Sequence, residues 1–312
     1  MTHKKKTSAR NVKRPIPLFK VFMNKDAVKS VGKVLLSGYI GQGQKVNEFE
    51  NKLTKWLRAK HVLTVNSATS AEHLALHLLK SPSGIWGGLK ASDEVLATPL
   101  TCTATNWPIL ANNLKIKWVD VNESNLNIDL EDLERKITPK TKVIMLVHWG
   151  GYPVDLDRLN AIREKAYSKH GFKPRVIEDC AHAFGATYKG KKIGNHGNMC
   201  TFSFQAIKHM NSVDGGILVV PSKELYRRGK LLRWYGIDRE QNTKDFRCEE
   251  DIKEWGFKFH MNDVNAAVGI ENLKYAGKII SKHRANAEFY NKHLEDIDGI
   301  RLHENKKDRQ SS

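Results

Sequence analysis

The sequence predicts an α/β protein in which a mainly parallel β-sheet is covered by helices. Short apolar runs bounded by turn residues recur along the chain, and helix-like stretches lie between several of them. Strands that alternate with helices are typical of parallel sheets covered on both faces. The predicted strands are 61–65, 94–98, 117–121, 143–147, 175–177, 200–204 and 216–220.

The predicted helices have apolar positions at helical spacing. The clearest follows the flexible loop 37–43, where Val46, Phe49, Leu53 and Trp56 fall on one face. The other helices are 71–79, 104–112, 156–169, 223–234, 262–273 and 279–294. We further predict a short strand at 300–302, a charged and exposed segment at 122–140, and a polar end at 304–312.

Composition indicates a globular protein of the cytoplasm. The chain has 312 residues, 40% of them hydrophobic, and no apolar run long enough for a membrane helix. The N-terminus lacks the apolar core of a signal peptide. Four widely spaced cysteines form no Cys-x-x-Cys pair, so we expect reduced thiols and no metal site.

The formal charge of +18 raises the hypothesis of nucleic-acid binding. Residues 1–15 hold six basic side chains and no acid, which predicts a disordered basic leader. The remaining excess is spread along the chain, and no helix-turn-helix, zinc finger or aromatic-basic platform is found. A positive cleft would equally suit a substrate that carries a diphosphate.

Two residues point to pyridoxal phosphate (PLP) chemistry. Asp179 follows an apolar strand, and Lys208 follows the next one. A lysine amine forms a Schiff base with the PLP aldehyde, and a carboxylate facing the pyridine nitrogen keeps that ring protonated. Alone, such an acid is usually a helix cap and such a lysine a solvated side chain. His182 could support the ring or serve as a structural histidine.

A phosphate seat is predicted where the first strand runs into a helix. Ser67 and Thr69 open that helix, whose free backbone N–H groups favour an anion. The simpler interpretation is an ordinary N-cap. Ser203 could share phosphate binding.

With these residues in place, the chain resembles the DegT and StrS type of nucleotide-sugar aminotransferase, of the aspartate aminotransferase-like fold. The resemblance runs from Pro17 to about Leu273, with motifs in the family's order. They are SGYIGQG (37–43), NSATSA (66–71), TPLTCTATN (98–106), EDCAHA (178–183), FSFQAIK (202–208) and WGFKFHMND (255–263).

The resemblance implies a PLP-dependent transferase of fold type I. Lys208 would form the internal aldimine and move the proton, and Asp179 would pair with the pyridine nitrogen. The other implied cofactor contacts are Ser67, Ala68 (through its backbone), Thr69, Cys102, His182 and Ser203. Residues Gly38, Tyr39 and Ile40 match a stretch that borders the sugar pocket in relatives.

Three departures from the family pattern stand out. Ala68 replaces a common glycine, which a backbone contact tolerates, and Cys102 replaces an aromatic residue that stacks on the cofactor in several relatives. Relatives also continue for several tens of residues, so a shortened small domain is expected. The family forms homodimers in which Lys258 to His260 match a segment that can reach the neighbour's phosphate.

The resulting organisation is a basic leader (1–15), a large PLP-binding domain (16–222) and the helical start of a small, shortened C-terminal domain (223–312). The expected activity moves an amino group from an amino acid, by resemblance glutamate, to a keto group of a nucleotide-linked deoxysugar. Two alternatives stay open: a catalytically impaired or non-catalytic binding protein, and a PLP-dependent sugar dehydratase. Relatives of the latter kind carry histidine in place of the lysine, so Lys208 argues against it.

Overall fold

The computed structural model describes residues 17–240 and 252–312. Its centre is a seven-stranded sheet in the order β1-β9-β8-β5-β4-β2-β3. The seven strands are β1 (Val62–Val65), β2 (Glu94–Ala97), β3 (Lys115–Trp118), β4 (Thr141–Val147), β5 (Arg175–Asp179), β8 (Met199–Ser203) and β9 (Gly216–Val219). Neighbours from β3 across to β8 pair in parallel, and β9 runs antiparallel to both β8 and β1. The predicted mainly parallel α/β fold is therefore confirmed.

Helices cover both faces of this sheet. They are α1 (Asp26–Ser37), α2 (Gln44–Leu57), α3 (Ala68–Leu78), α4 (Thr103–Ala111), α5 (Leu130–Lys136), α6 (Leu156–His170), α7 (Lys223–Leu232), α8 (Asp263–Leu273) and α9 (Ala276–Leu294). Alternate residues of β4 enter two separate apolar clusters: Ile144 and Leu146 lie in one, Val143 and Met145 in the other. The sheet is thus buried on both faces, as its apolar strands predict.

A small three-stranded sheet lies beside the main one. It consists of β6 (Thr187–Tyr188), β7 (Lys191–Lys192) and β10 (Arg309–Gln310), with β6 in the middle. The predicted strand at 300–302 is wrong, since those residues form no strand and Ile300 is exposed. The strand of this part of the chain lies instead at Arg309, which pairs with Tyr188 of β6. Arg309 is buried and donates hydrogen bonds to Asp155 and Asp308, although its segment was predicted to be only polar.

Three further expectations need correction. Helix α1 was not predicted. Segment 122–140 is not simply exposed, because Ile128 and Leu133 are buried and α5 packs there. Strand β3 begins two residues earlier than predicted and ends at Trp118, since it is an edge strand whose Lys-Ile-Lys-Trp sequence has little apolar contrast.

The helical C-terminal part packs closely on the N-terminal helices. The Asp263 carboxylate accepts hydrogen bonds from the backbone N–H groups of Gly43, Lys45 and Val46, and so ties the start of α8 to the start of α2. The domain division at residue 222 stays a prediction. The predicted leader, residues 1–15, lies outside the described residues. Within them, no helix is both long and apolar enough to cross a membrane.

Candidate active site

The sheet brings the predicted site residues to one edge. Asp179 ends β5 and pairs in register with Thr201, two residues before Ser203 ends β8. Ser203 pairs with Gly216, which also pairs with Val65 at the end of β1. Because ligands of parallel sheets collect at the carboxyl ends of strands, this edge is the candidate site.

The Asp179 carboxylate is held by two donors. The Thr105 hydroxyl donates to Oδ2 at 2.7 Å, and the backbone N–H of Ala181 donates to Oδ1 at 2.9 Å. Asp179 is 5% exposed, so its orientation is set by these contacts rather than by water. The Thr105 hydroxyl also lies 2.7 Å from that of Thr101, which holds it in place.

Lys208 lies in the turn after β8 with its side chain half-buried. Burial lowers its pKa, while the nearby Asp179 and Cys102 oppose that shift. Across the described residues, its Nζ makes no hydrogen bond or ion pair. A desolvated and unpaired amine reaches its neutral, nucleophilic form more easily than a solvated one.

His182 lies in the same electrostatic environment. Burial and the nearby Lys208 lower its pKa, and Asp179 opposes them. Its ring packs edge-on against Trp149 with centroids 5.9 Å apart. A neutral imidazole near Asp179 and Lys208 could therefore pack against a bound ring without adding charge.

The residues predicted to bind a phosphate lie at the start of α3. The Ser67 hydroxyl caps the helix by accepting from the backbone N–H of Ser70 at 3.1 Å. The N–H groups of Ala68 and Thr69 have no protein acceptor in the part of the chain that is described. Gly216 packs against this turn so closely that a Cβ would lie 2.5 Å from the Ala68 nitrogen.

Cys102 is exposed and immediately precedes α4, the helix that carries Thr105. It is one of the groups that raise the pKa of Lys208. Gly38, Tyr39 and Ile40 are less integrated. Gly38 ends α1 in a left-handed conformation, and the side chains of Tyr39 and Ile40 are 85% and 51% exposed.

Sequence reasoning missed two residues of the site, Thr105 and the buried Glu72 on α3. Thr105 lies inside a quoted motif, but the sequence does not indicate which residue of that motif faces Asp179. Segment 258–260 also lies at this edge, because the carbonyl of Phe259 accepts from the backbone N–H of Asn66 at 2.7 Å and His260 bridges to Val65.

A buried cluster of His148, Glu178 and Cys180 has the residue types of a metal site. Its atoms are already engaged. His148 Nε2 lies 2.9 Å from Glu178 Oε2, and His148 Nδ1 accepts from the backbone N–H of Val154. Asn198 donates to the other carboxylate oxygen of Glu178 at 2.6 Å. These contacts make the cluster a hydrogen-bonded part of the core.

Comparison with known proteins places this geometry in context. The model of the DegT/DnrJ/EryC1/StrS aminotransferase family matches residues 22–312. The sugar aminotransferase CalS13 from Micromonospora echinospora superposes with a TM-score of 0.89 at 44% identity, over 95% of this chain and 78% of that one.

Two other proteins are informative by what they act on or bind. A UDP-4-amino-4-deoxy-L-arabinose–oxoglutarate aminotransferase from Shewanella sediminis is 33% identical over 91% of this chain and 70% of its own length. The GDP-4-keto-6-deoxy-D-mannose-3-dehydratase of E. coli, with bound hydrated PLP, has a TM-score of 0.84 at 27% identity, over 93% of this chain and 75% of that one.

The residues at the sheet edge fit PLP. Lys208 offers an unpaired amine, Asp179 an oriented carboxylate, and the Ala68 and Thr69 N–H groups an anion seat. Because residue 216 is a glycine, its backbone can pack closely against the turn that carries these N–H groups. PLP is the cofactor of this protein.

Proposed function

Because the chain belongs to the DegT/DnrJ/EryC1/StrS aminotransferase family, we propose that it transfers an amino group from glutamate to a keto group of a nucleotide-linked deoxysugar. One observation carries the proposal: the desolvated, unpaired amine of Lys208 lies at the same sheet edge as the oriented carboxylate of Asp179. The Shewanella sediminis relative is named for a UDP-linked amino sugar and for oxoglutarate, the keto acid that forms when glutamate gives up its amino group, which supports a nucleotide sugar as acceptor and glutamate as donor.

In this proposal each residue has a distinct task. When bound, PLP supplies an electrophilic aldehyde and a ring that accepts electrons. Asp179 keeps the ring nitrogen protonated, since opposite charges favour each other's ionised form. Lys208 would hold the cofactor, and its amine would serve as the acid and base that moves the proton. The hydroxyls of Ser67, Thr69 and Ser203 and the N–H groups of Ala68 and Thr69 bind the phosphate.

The first experiment is a visible absorbance spectrum of the purified protein with PLP, before and after glutamate. We expect a band from PLP joined to Lys208, and a change in that band when glutamate is added. Lys208→Ala should lack the band. Lys192→Ala is the matched control, because burial also lowers the pKa of Lys192 but its amine is engaged by the Trp56 carbonyl at 2.6 Å. A band that survives Lys208→Ala would reject the assignment.

The sugar dehydratase is the second candidate within the fold, since a structural relative is a dehydratase. The two reactions differ in their products. An aminotransferase converts a nucleotide-linked keto-deoxysugar into an amino sugar and consumes glutamate in equal amount. A dehydratase removes a hydroxyl group from the sugar. Mass spectrometry of the product separates them, and loss of a hydroxyl would overturn our proposal.

We also propose that the protein acts as a homodimer. Segment 258–260 lies beside Asn66, which precedes the start of α3. By resemblance to the family, this segment matches one that can reach the neighbour's phosphate. Light scattering of the full chain with PLP should give twice the mass of the chain. A monomer that still joins PLP to Lys208 would exclude any need for a partner in cofactor binding.

A further inference from the structure

A second carboxyl group lies near Asp179. Glu72 is 1% exposed on α3, the helix that packs against β5 and β8. The Thr201 hydroxyl lies 3.5 Å from Glu72 Oε1, and Thr201 is the register partner of Asp179. Glu72 thus contacts the residue that neighbours Asp179 in the sheet.

The other oxygen of Glu72 has no ordinary donor. Oε2 is buried, and among the described residues no N–H or O–H group points at it. Thr201, which contacts Glu72, lies beside Asp179 in the sheet, so the carboxyl groups of Glu72 and Asp179 are neighbours, and Asp179 raises the pKa of Glu72. Two ionised carboxylates cannot share a buried contact, whereas one acid and one carboxylate form a strong hydrogen bond.

The surroundings decide which of the two keeps the proton. Burial raises the pKa of Glu72 well above its ordinary value; Asp179 and Cys102 raise it further, and only the Thr201 hydroxyl opposes them. Asp179, in contrast, accepts a hydrogen bond on each carboxylate oxygen, from the Thr105 hydroxyl on Oδ2 and from the Ala181 N–H on Oδ1.

Hydrogen-bond geometry places the shared proton on Glu72. Both oxygens of Asp179 are already acceptors, for the Thr105 hydroxyl and the Ala181 N–H. Oε2 of Glu72 has no donor among the described residues and is free to carry the proton. The proton therefore stays on Glu72.

We propose that Glu72 is a positioning residue whose carboxylic acid donates a hydrogen bond to Asp179 and holds that carboxylate against the pyridine nitrogen of PLP. The inference rests on the proposed role of Asp179. It gives Asp179 three donors: Thr105, the Ala181 N–H and Glu72. Each hydrogen bond restricts the rotation of the Asp179 side chain, which in this proposal must face the pyridine nitrogen of PLP.

The contact is tested first without cofactor. Infrared spectroscopy of the wild type at pH 7 should show the stretch of a buried protonated carboxyl group. The band should vanish in Glu72→Gln and shift in Asp179→Asn, because the acceptor changes from a charged to a neutral oxygen. If the wild type lacks the band, or if the band does not shift in Asp179→Asn, the proposed hydrogen bond between Glu72 and Asp179 is rejected.

The positioning role is tested by titration with PLP, followed by absorbance and tryptophan fluorescence. Glu72→Gln keeps a donor in the amide and should bind PLP within about threefold of the wild type. Glu72→Leu has a similar volume but no donor, and should bind about tenfold more weakly. Equal affinity of Glu72→Leu and wild type would refute the role.

Stability separates positioning from packing. Removing a buried carboxyl group should leave Glu72→Leu at least as stable to denaturant as the wild type. Weaker PLP binding in an equally stable protein is the expected signature. Weaker binding that parallels a loss of stability would mean that Glu72 only packs. A wild type that fails to join PLP to Lys208 would reject the proposed function and the cofactor-directed half of this inference, while the infrared band still decides the contact with Asp179.

Discussion

The hydroxyl of Thr105 donates a hydrogen bond of 2.7 Å to Oδ2 of Asp179, and so joins the start of α4 to the end of β5. Thr105 is 1% exposed, so no water can replace the bond if it is removed. A hydrogen bond to a charged group is stronger than one between neutral groups. The orientation of the Asp179 carboxylate thus depends on a threonine on another element.

Thr105→Val should weaken PLP binding about tenfold, or ~1.4 kcal/mol, because the isosteric valine leaves Oδ2 of Asp179 without this donor. Thr105→Ser keeps the hydroxyl and should bind PLP within about threefold of the wild type. Fluorescence titration with PLP measures both. If the valine variant binds as tightly as the serine variant, the hydroxyl does not orient Asp179.

Gly216→Ala should disrupt the phosphate seat. A Cβ at residue 216 would lie 2.5 Å from the Ala68 nitrogen and 2.6 Å from the Ser67 carbonyl carbon, and these backbone atoms cannot move without shifting the start of α3. We expect loss of PLP affinity and lower stability, measured by titration and by thermal unfolding.

The matched control is Gly32→Ala in α1, where nothing lies within 4 Å of the new Cβ. Alanine is the better helix former, so this variant should be more stable by up to ~1 kcal/mol. Similar losses in both variants would show that tight packing at residue 216 is not the cause.

The buried pair of Arg233 and Glu50 should be costly to break. Arg233 is 1% exposed and donates to Glu50 and to the Thr64 carbonyl. Arg233→Met leaves the Glu50 charge buried without its partner and should lower the free energy of unfolding by about 3–5 kcal/mol.

Adding Glu50→Gln to Arg233→Met should recover part of this loss, because the neutral amide can still accept from the Thr64 backbone N–H. Denaturant unfolding of the two variants measures the difference. A double variant less stable than the single one would contradict an unpaired charge as the cause.

His209, next to Lys208, should titrate far below an ordinary histidine. Burial lowers its pKa to about 4, aided by His283, His182 and Lys208 and opposed by the hydrogen bond to the Phe184 carbonyl. The unfolded chain takes up this proton at higher pH than the folded one, so stability is highest above about pH 6.5 and falls as the pH drops towards 4.

His209→Gln retains a donor for the Phe184 carbonyl but does not titrate. It should lose less unfolding free energy than the wild type between pH 7 and pH 5. Denaturant unfolding at the two pH values makes the comparison, and NMR of the imidazole reports the midpoint directly. A midpoint near 6.5 would contradict the buried environment of His209.

Much of the sheet was predictable because its strands are buried on both faces. Strands β4 and β9 appear in the sequence as short apolar runs, and the structure has them at 141–147 and 216–219. Helix α5 was missed because its short sequence, Leu-Glu-Asp-Leu-Glu-Arg-Lys, places only Leu133 among the buried apolar side chains. Its boundaries come from Asp129, whose carboxylate caps the helix, and from packing.

By itself, the sequence determined which chemical groups are available: an amine at Lys208, a carboxylate at Asp179 and a hydroxylated helix start at Ser67, in an order that identified the family. Only the tertiary structure decided which groups surround Asp179. Thr105 and Glu72 lie on helices distant in the chain from Asp179, and they come near it because α3 packs on β5 and β8 and α4 packs on α3. Sequence spacing does not encode such contacts, because helix packing sets the distance between the two side chains. Burial then decides which of the two carboxyl groups keeps the proton.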